Sequence, residues 1–377
     1  MCEAVLLDLK HGCSPECRGA APPEVSHVFL LRGKPSPEDV SGFSGAFQSA
    51  CGGSVHVLDS GSTAESLYRL KQTVDRLQLS SIRVLTTGRD VLLLYQQLLF
   101  TAVYTFDYVT CPSCTGPAHT DSPGGGGGGV QEEVSVFVQQ LPALKGEITV
   151  LKSTLIPEGG VSSIPTLSSL NLFSSSRRRD PVAVVTENRR RLAVHAGFHP
   201  QPLRLVKVNH GSDVWVVGSA EPESYDAMVT DQTGVVLAAP GADCMPVLFA
   251  DPVSKVIGAA HAGWRGTLMG VAAATVDAMV KGFGCRASDI VVAVGPSVGA
   301  CCYTMERETA LGFQRVHPDC VADPESTRPH VDIASTTARA PCRLSPCQRL
   351  GFESAEALAA CHPPLSPHFL SLSSCSK

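Results

Sequence analysis

Between residues 203 and 260 turn residues cut the chain into short β-branched runs: Leu203 to Val208, Val214 to Val217, Val235 to Ala239, Val247 to Asp251 and Val256 to Ala260. Runs of that length and composition read as strands. A sheet built from them leaves its chemistry at strand ends, where a rigid scaffold presents side chains to one point. Three residues of metal-ligand type stand at such ends: His210 in Asn209-His210-Gly211-Ser212-Asp213, Cys244 in Gly241-Ala242-Asp243-Cys244-Met245-Pro246, and His261 in His261-Ala262-Gly263-Trp264-Arg265-Gly266. Two imidazoles and a thiolate suit a catalytic zinc, which takes three protein ligands and keeps a fourth position for water or substrate. Their spacing fits no compact finger, so the fold must gather them. Each also has a plainer reading: a cysteine beside an apolar strand is a small buried hydrophobe, and a histidine at a strand end is an ordinary hydrogen-bonded residue.

Together with Gly295-Pro296-Ser297-Val298-Gly299, these blocks resemble, in order, the signature segments of the YfiH/YlmD family, named for a laccase-like domain. The resemblance covers roughly Gly160 to Ile333, and the long N-terminal extension brings the chain nearest to the vertebrate members. It implies a mixed α/β (α+β) chain: a C-terminal laccase-like, YfiH-type mixed-sheet domain with helices, preceded by a small α/β domain. It also implies zinc on His210, Cys244 and His261, with purine nucleoside and phosphate as substrates. The implied activities are phosphorolysis of adenosine, inosine, guanosine and methylthioadenosine, and deamination of adenosine. Asn171 lies in a polar loop that the family places near its substrate cleft.

Within that reading Cys244, Asp243 and Arg265 are the catalytic candidates, with Asn171 and Arg265 for substrate. Asp243 is the nearest proton carrier, and equally a residue that orients the metal ligand beside it. Arg265 stands next to a helix start, suited to a phosphate or a ribose hydroxyl, while Trp264 is either a contact or a packing anchor. The laccase name invites copper, but none of the twelve histidines lies two residues from another, as the pairs of a multicopper cluster do. Copper binding at a soft His/Cys site is the lesser expectation.

A net charge of -5 offers no overall attraction to nucleic acid or acidic membranes. No run of 18 apolar residues marks a membrane span, and fifteen scattered cysteines suit a reducing cytoplasm better than a disulfide framework. The expected plan is a small α/β domain over 1–110, a Gly-rich linker over 111–130, the zinc and nucleoside domain over 131–340, and a divergent, disordered tail over 341–377. In the first domain Val28 to Leu31, Ser54 to Leu58 and Ile82 to Leu85 read as strands. Ser62-Thr63-Ala64-Glu65 has capping-box form and opens a helix. A second helix, Asp90 to Phe100, is apolar nearly all round and so expected to be buried. No chemistry is visible there, which leaves packing or a protein partner.

Cys111-Pro112-Ser113-Cys114 and the glycines from Gly124 to Gly129 read as a mobile loop, followed by an amphipathic helix from Val130 to Leu141 and a strand from Glu147 to Leu155. Arg177, Arg178 and Arg179 read as a solvated basic turn before a helix opened by Asp180-Pro181 and running towards Gly197. Further helices are expected from Thr267 to Val280, stopped at Gly282, and from Glu306 to Val316. The chain departs from the family twice: an edge strand before Gly159 is missing, and from about Ala340 a Pro- and Ser-rich stretch replaces the terminal block. An alternative splice product or a mispredicted gene end is the expectation. The competing functional reading is a zinc-bound but inactive scaffold or regulatory form acting through its first domain.

Overall fold

The structure is a computed structural model that describes residues 4–11, 25–32, 54–110, 128–146, 148, 170–172, 174, 179–241, 243–295 and 297–339. Its contacts divide the chain into two units: Met1–Lys145 with Phe173–Asn188, and Gly146–Leu172 with Arg189–Lys377.

The first unit is built on an all-parallel sheet of β1 (Ala4–Asp8), β2 (His27–Leu31), β3 (Ser54–Leu58), β4 (Ser81–Thr86) and β5 (Thr105–Thr110). The strand order is β3-β2-β1-β4-β5. The central strand β1 is buried along its whole length, because both its faces are covered. Its sequence, Ala4-Val5-Leu6-Leu7-Asp8, is the continuous apolar run such a strand requires. The capping box holds: Ser62 accepts the Glu65 N–H at 3.1 Å and opens α1 (Thr63–Arg76). Helix α2 (Arg89–Leu99) differs from the expected buried helix, since only Leu92, Tyr95 and Leu99 are buried, and Arg89, Asp90 and Gln97 keep one side in water. Helix α3 (Gly128–Gln140) sends Val130, Val134 and Val138 into the same core as Leu67, Leu70 and Leu92. This helix, assigned by sequence to the second domain, therefore belongs with the first. Gly128 and Gly129 form its first turn, whereas Cys111, Cys114 and the earlier glycines lie outside the described residues.

Helix α4 (Val182–His195) ends near Gly197, whose φ of +76° is a left-handed conformation that glycine adopts without strain. In the second unit β6 (Leu203–Leu205) pairs in parallel with β9 (Val236–Ala238). The main sheet has the order β12-β10-β11-β8-β7, from β7 (Val214–Val216), β8 (Ala227–Thr230), β10 (Met245–Asp251), β11 (Val256–Ala262) and β12 (Val291–Val294). All its neighbours are antiparallel except β7 and β8. One face packs Val229, Val247, Phe249 and Val292 against Val276 and Met279, and the other gathers Trp215, Tyr225, Met228 and Ala259.

The helix expected from Thr267 to Val280 is two helices, α5 (Trp264–Met269) and α6 (Val271–Phe283), separated by Gly270 at φ +80°. The stop is Gly284 rather than Gly282: Gly284 takes φ +70° and its N–H reaches the Val280 carbonyl at 3.0 Å, a left-handed cap. Helices α7 (Arg307–Val316) and α8 (Ile333–Arg339) complete this unit. The strand expected over 147–155, the turn arginines Arg177 and Arg178, and the tail over 341–377 lie outside the described residues. No described helix is long and apolar enough to cross a membrane.

Candidate metal centre

Strand register explains how distant residues meet. In the β10–β11 hairpin Met245 faces Ala262 and Pro246 faces His261. Cys244, one residue before β10, is thereby set at the same end as His261. On the other side of β11, Ala260 faces Ala227, and the His261 N–H donates to the Asp226 carbonyl at 2.7 Å. His210 lies in the turn before β7 with φ +62°, a left-handed conformation unusual for a residue with a Cβ. The ligand atoms of His210, Cys244 and His261 all lie within 4.8 Å of one another, and no other such group occurs among the described residues.

Asp226, absent from the sequence reading, holds this arrangement. Its carboxylate is fully buried. It accepts the backbone N–H of Asn209 at 3.1 Å, His210 at 3.1 Å and Gly211 at 2.8 Å, which pins the strained turn that carries His210. It also lies 2.8 Å from Nδ1 of His261. An ionised carboxylate only accepts hydrogen bonds, so Nδ1 carries the proton and Nε2 is left for the cluster. Burial works against the Asp226 charge, but the hydrogen bonds from His261, Gly211 and Asn209 outweigh it and hold the carboxyl below its ordinary range. For His261 burial likewise opposes the charge, yet bonds to Asp226 and Cys244 raise the imidazole to about 9. The sequence carried one hint of Asp226: an acid directly before the apolar run Ala227-Met228-Val229, itself not read as a strand.

The donor set fits a zinc-sized ion. Tetrahedral nitrogen and sulfur ligands about 2.0–2.3 Å from a shared ion sit roughly 3.3–3.7 Å apart, so side chains already confined within 4.8 Å need small rotations only. Gly263 keeps the space open. A Cβ there would lie 3.1 Å from Cys244 Sγ, 3.1 Å from His210 Nδ1 and 3.5 Å from His261 Cε1, in the middle of the cluster.

The remaining expected site residues are dispersed. Asp243 is exposed next to Cys244. Arg265 is exposed in α5, its guanidinium carbon 6.0 Å from the Trp264 ring centre, and Trp264 is itself partly exposed rather than a buried anchor. Asn171 is buried in the same unit. Tyr303, also missed by sequence reasoning, lies close enough to Cys244 and Asp243 to feel their charge: burial first, then those two groups, raises its phenol.

Residues 154–344 match the family model described as multi-copper polyphenol oxidoreductase laccase. Purine nucleoside phosphorylase LACC1 of Mus musculus is 48% identical over 297 residues, covering 73% of this chain and 68% of the relative. The Homo sapiens protein of that name is 46% identical over 295 residues, covering 73% and 69%. Purine nucleoside phosphorylase ORF3 of Streptomyces griseus is 39% identical over 180 residues, covering 46% and 72%. Among solved structures, YlmD from Geobacillus stearothermophilus aligns with a TM-score of 0.43 and 26% identity over 55% of this chain and 80% of that one.

Proposed function

This chain belongs to the laccase-like family, and we propose that its His210–Cys244–His261 centre serves phosphorolysis of purine nucleosides. The observation that carries the reading is the convergence of two imidazoles and a thiol within 4.8 Å beside the open space at Gly263, in a chain whose relatives are named purine nucleoside phosphorylases.

Zinc is the proposed ion: the set offers three donors, and no second histidine cluster accompanies it among the described residues to make a multicopper site. When bound, it supplies Lewis acidity at the position the three ligands leave open. The protein supplies the rest. Asp226 holds His261 in one tautomer and clamps the His210 turn, so the donors are set before an ion arrives.

In phosphorolysis a phosphate oxygen bonds to C1′ as the bond from C1′ to the base nitrogen breaks, and the departing purine takes up a proton. Arg265 is the proposed phosphate partner and Asp243 the proposed proton carrier to the base, both being exposed on the segments that bear Cys244 and His261. Asn171 is proposed to position substrate. Adenosine, inosine, guanosine and methylthioadenosine are the proposed substrates. Deamination of adenosine is a second reading, favoured by the exposed Asp243 carboxylate, since addition of water at C6 and loss of ammonia also need a proton carrier. The cytoplasm is the proposed location, since fifteen scattered cysteines suit a reducing compartment.

The purified full chain, loaded with zinc, is assayed for release of free base from each nucleoside with phosphate. Phosphate-dependent release that falls to background in Cys244→Ala, together with loss of stoichiometric zinc, is expected. A zinc-loaded wild type without turnover on any of the four would replace this reading with the inactive scaffold.

A further inference from the structure

Cys301 and Cys302 are adjacent, both exposed, and their sulfurs are 3.3 Å apart. They sit in the turn after β12, outside the ligand set. That turn is held in place on both sides: the Val298 N–H donates to the Asp243 carbonyl at 3.1 Å, and the Cys302 and Tyr303 N–H groups reach the Gly299 carbonyl at 3.0 and 3.1 Å. Two thiols are thus presented to solvent side by side by a backbone that is already fixed.

The geometry restricts what can join both sulfurs. An atom about 2.3 Å from each sulfur, a length typical of metal–thiolate bonds, would subtend roughly 90° across the observed gap. A bent, pyramidal centre fits that angle and a linear two-coordinate ion does not. Direct closure to a disulfide is also within reach, but neighbouring residues hold their Cα atoms about 3.8 Å apart, shorter than the usual 4.4–6.8 Å of disulfides. The closed form is therefore strained and more easily reduced than a structural disulfide.

We propose that Cys301 and Cys302 act as one reactive dithiol site, taking low-molecular-weight disulfides and pyramidal trivalent thiophiles such as arsenicals. With a disulfide RSSR, one thiolate attacks and releases the first thiolate RS⁻. The neighbouring thiolate then attacks the protein sulfur of the mixed disulfide and releases the second. The balance is two protein thiols and RSSR giving one protein disulfide and two RSH. The protein is oxidised, RSSR is reduced, and the two protein protons end on the released thiols.

The full zinc-loaded chain is equilibrated in mixtures of reduced and oxidised glutathione, quenched with acid, alkylated and read by peptide mass spectrometry. In wild type the two residues lose alkylation together and the peptide is lighter by two hydrogens with no glutathione retained. Cys301→Ser and Cys302→Ser each stop at one bound glutathione. Phenylarsine oxide is retained by wild type against excess monothiol and is lost from either variant. Mixed disulfides that persist on wild type, or two thiols that stay independently alkylatable while other cysteines of the chain oxidise, would overturn the proposal. So would arsenical retention that is equal in wild type and both variants.

Discussion

Each unit contains a buried aspartate bonded to a histidine, and only one of these pairs adjoins the candidate metal centre. Asp8, at the end of β1, lies 3.0 Å from Nδ1 of His11 and accepts the N–H groups of Lys10 and His11 and the Thr86 hydroxyl. Asp226 has a similar set of partners: three backbone N–H groups and the Nδ1 of His261. The difference is where the histidine comes from. His11 is three residues from Asp8, and its side chain keeps 24% of its surface in water; His261 is 35 residues from Asp226, and its side chain keeps 5%. A local pair closes a turn. A pair made across strands inherits whatever the same register brings, here Cys244 from just before β10 and His210 from the pinned turn.

That contrast can be broken by experiment, most sharply at Asp226. Asp226→Asn removes the fixed acceptor of His261, and zinc affinity measured by chelator competition is expected to fall about 10- to 100-fold. Unchanged affinity would mean the carboxylate only closes a turn, as at Asp8.

A second test uses pH. Metal binding requires His261 neutral, whereas the metal-free imidazole titrates at about 9. Loss of the His261 proton should therefore contribute about a tenfold rise in apparent zinc affinity per pH unit below 9, roughly 1.4 kcal/mol per unit, in addition to the proton that the Cys244 thiol gives up on binding. In the metal-free protein the sign reverses. A pKa above the ordinary 6.5 gives stability that is full below 6.5 and is lost as pH rises through about 9. Denaturation of zinc-free protein across that window checks the second half, and a flat profile would remove the proton on His261.

The smallest effect is expected at the other pair. Asp8→Asn should cost about 1–3 kcal/mol of stability through its weakened buried hydrogen bonds, read by chemical denaturation, with zinc stoichiometry unchanged. A loss of zinc there would erase the distinction between the two pairs.

What the sequence revealed follows the same division between local and distant. His210, Cys244 and His261 stood out because each sits in a short, chemically unusual segment at the end of a strand-like run, and the Ser62 cap is a local signal as well. Asp226 gave no such signal, since its role exists only once β8 lies beside β11 in the observed register. Ala4–Asp8 was not recognised as a strand because a buried parallel strand has no alternation to detect. Helix α3 was assigned to the wrong neighbour because its valine stripe says that it packs, and only three-dimensional contacts say against which core. Glycine showed the same limit: two sat near the end of α6, and φ alone separates Gly284, which ends it, from Gly282 inside it.

The β10–β11 hairpin also bears on the order of assembly. Its strands are separated only by residues 252–255, so closing it costs little chain entropy, and that single event brings the sulfur and the buried imidazole together. His210 comes from a turn held by Asp226, so its place beside the other two depends on the β8–β11 pairing as well as on the hairpin.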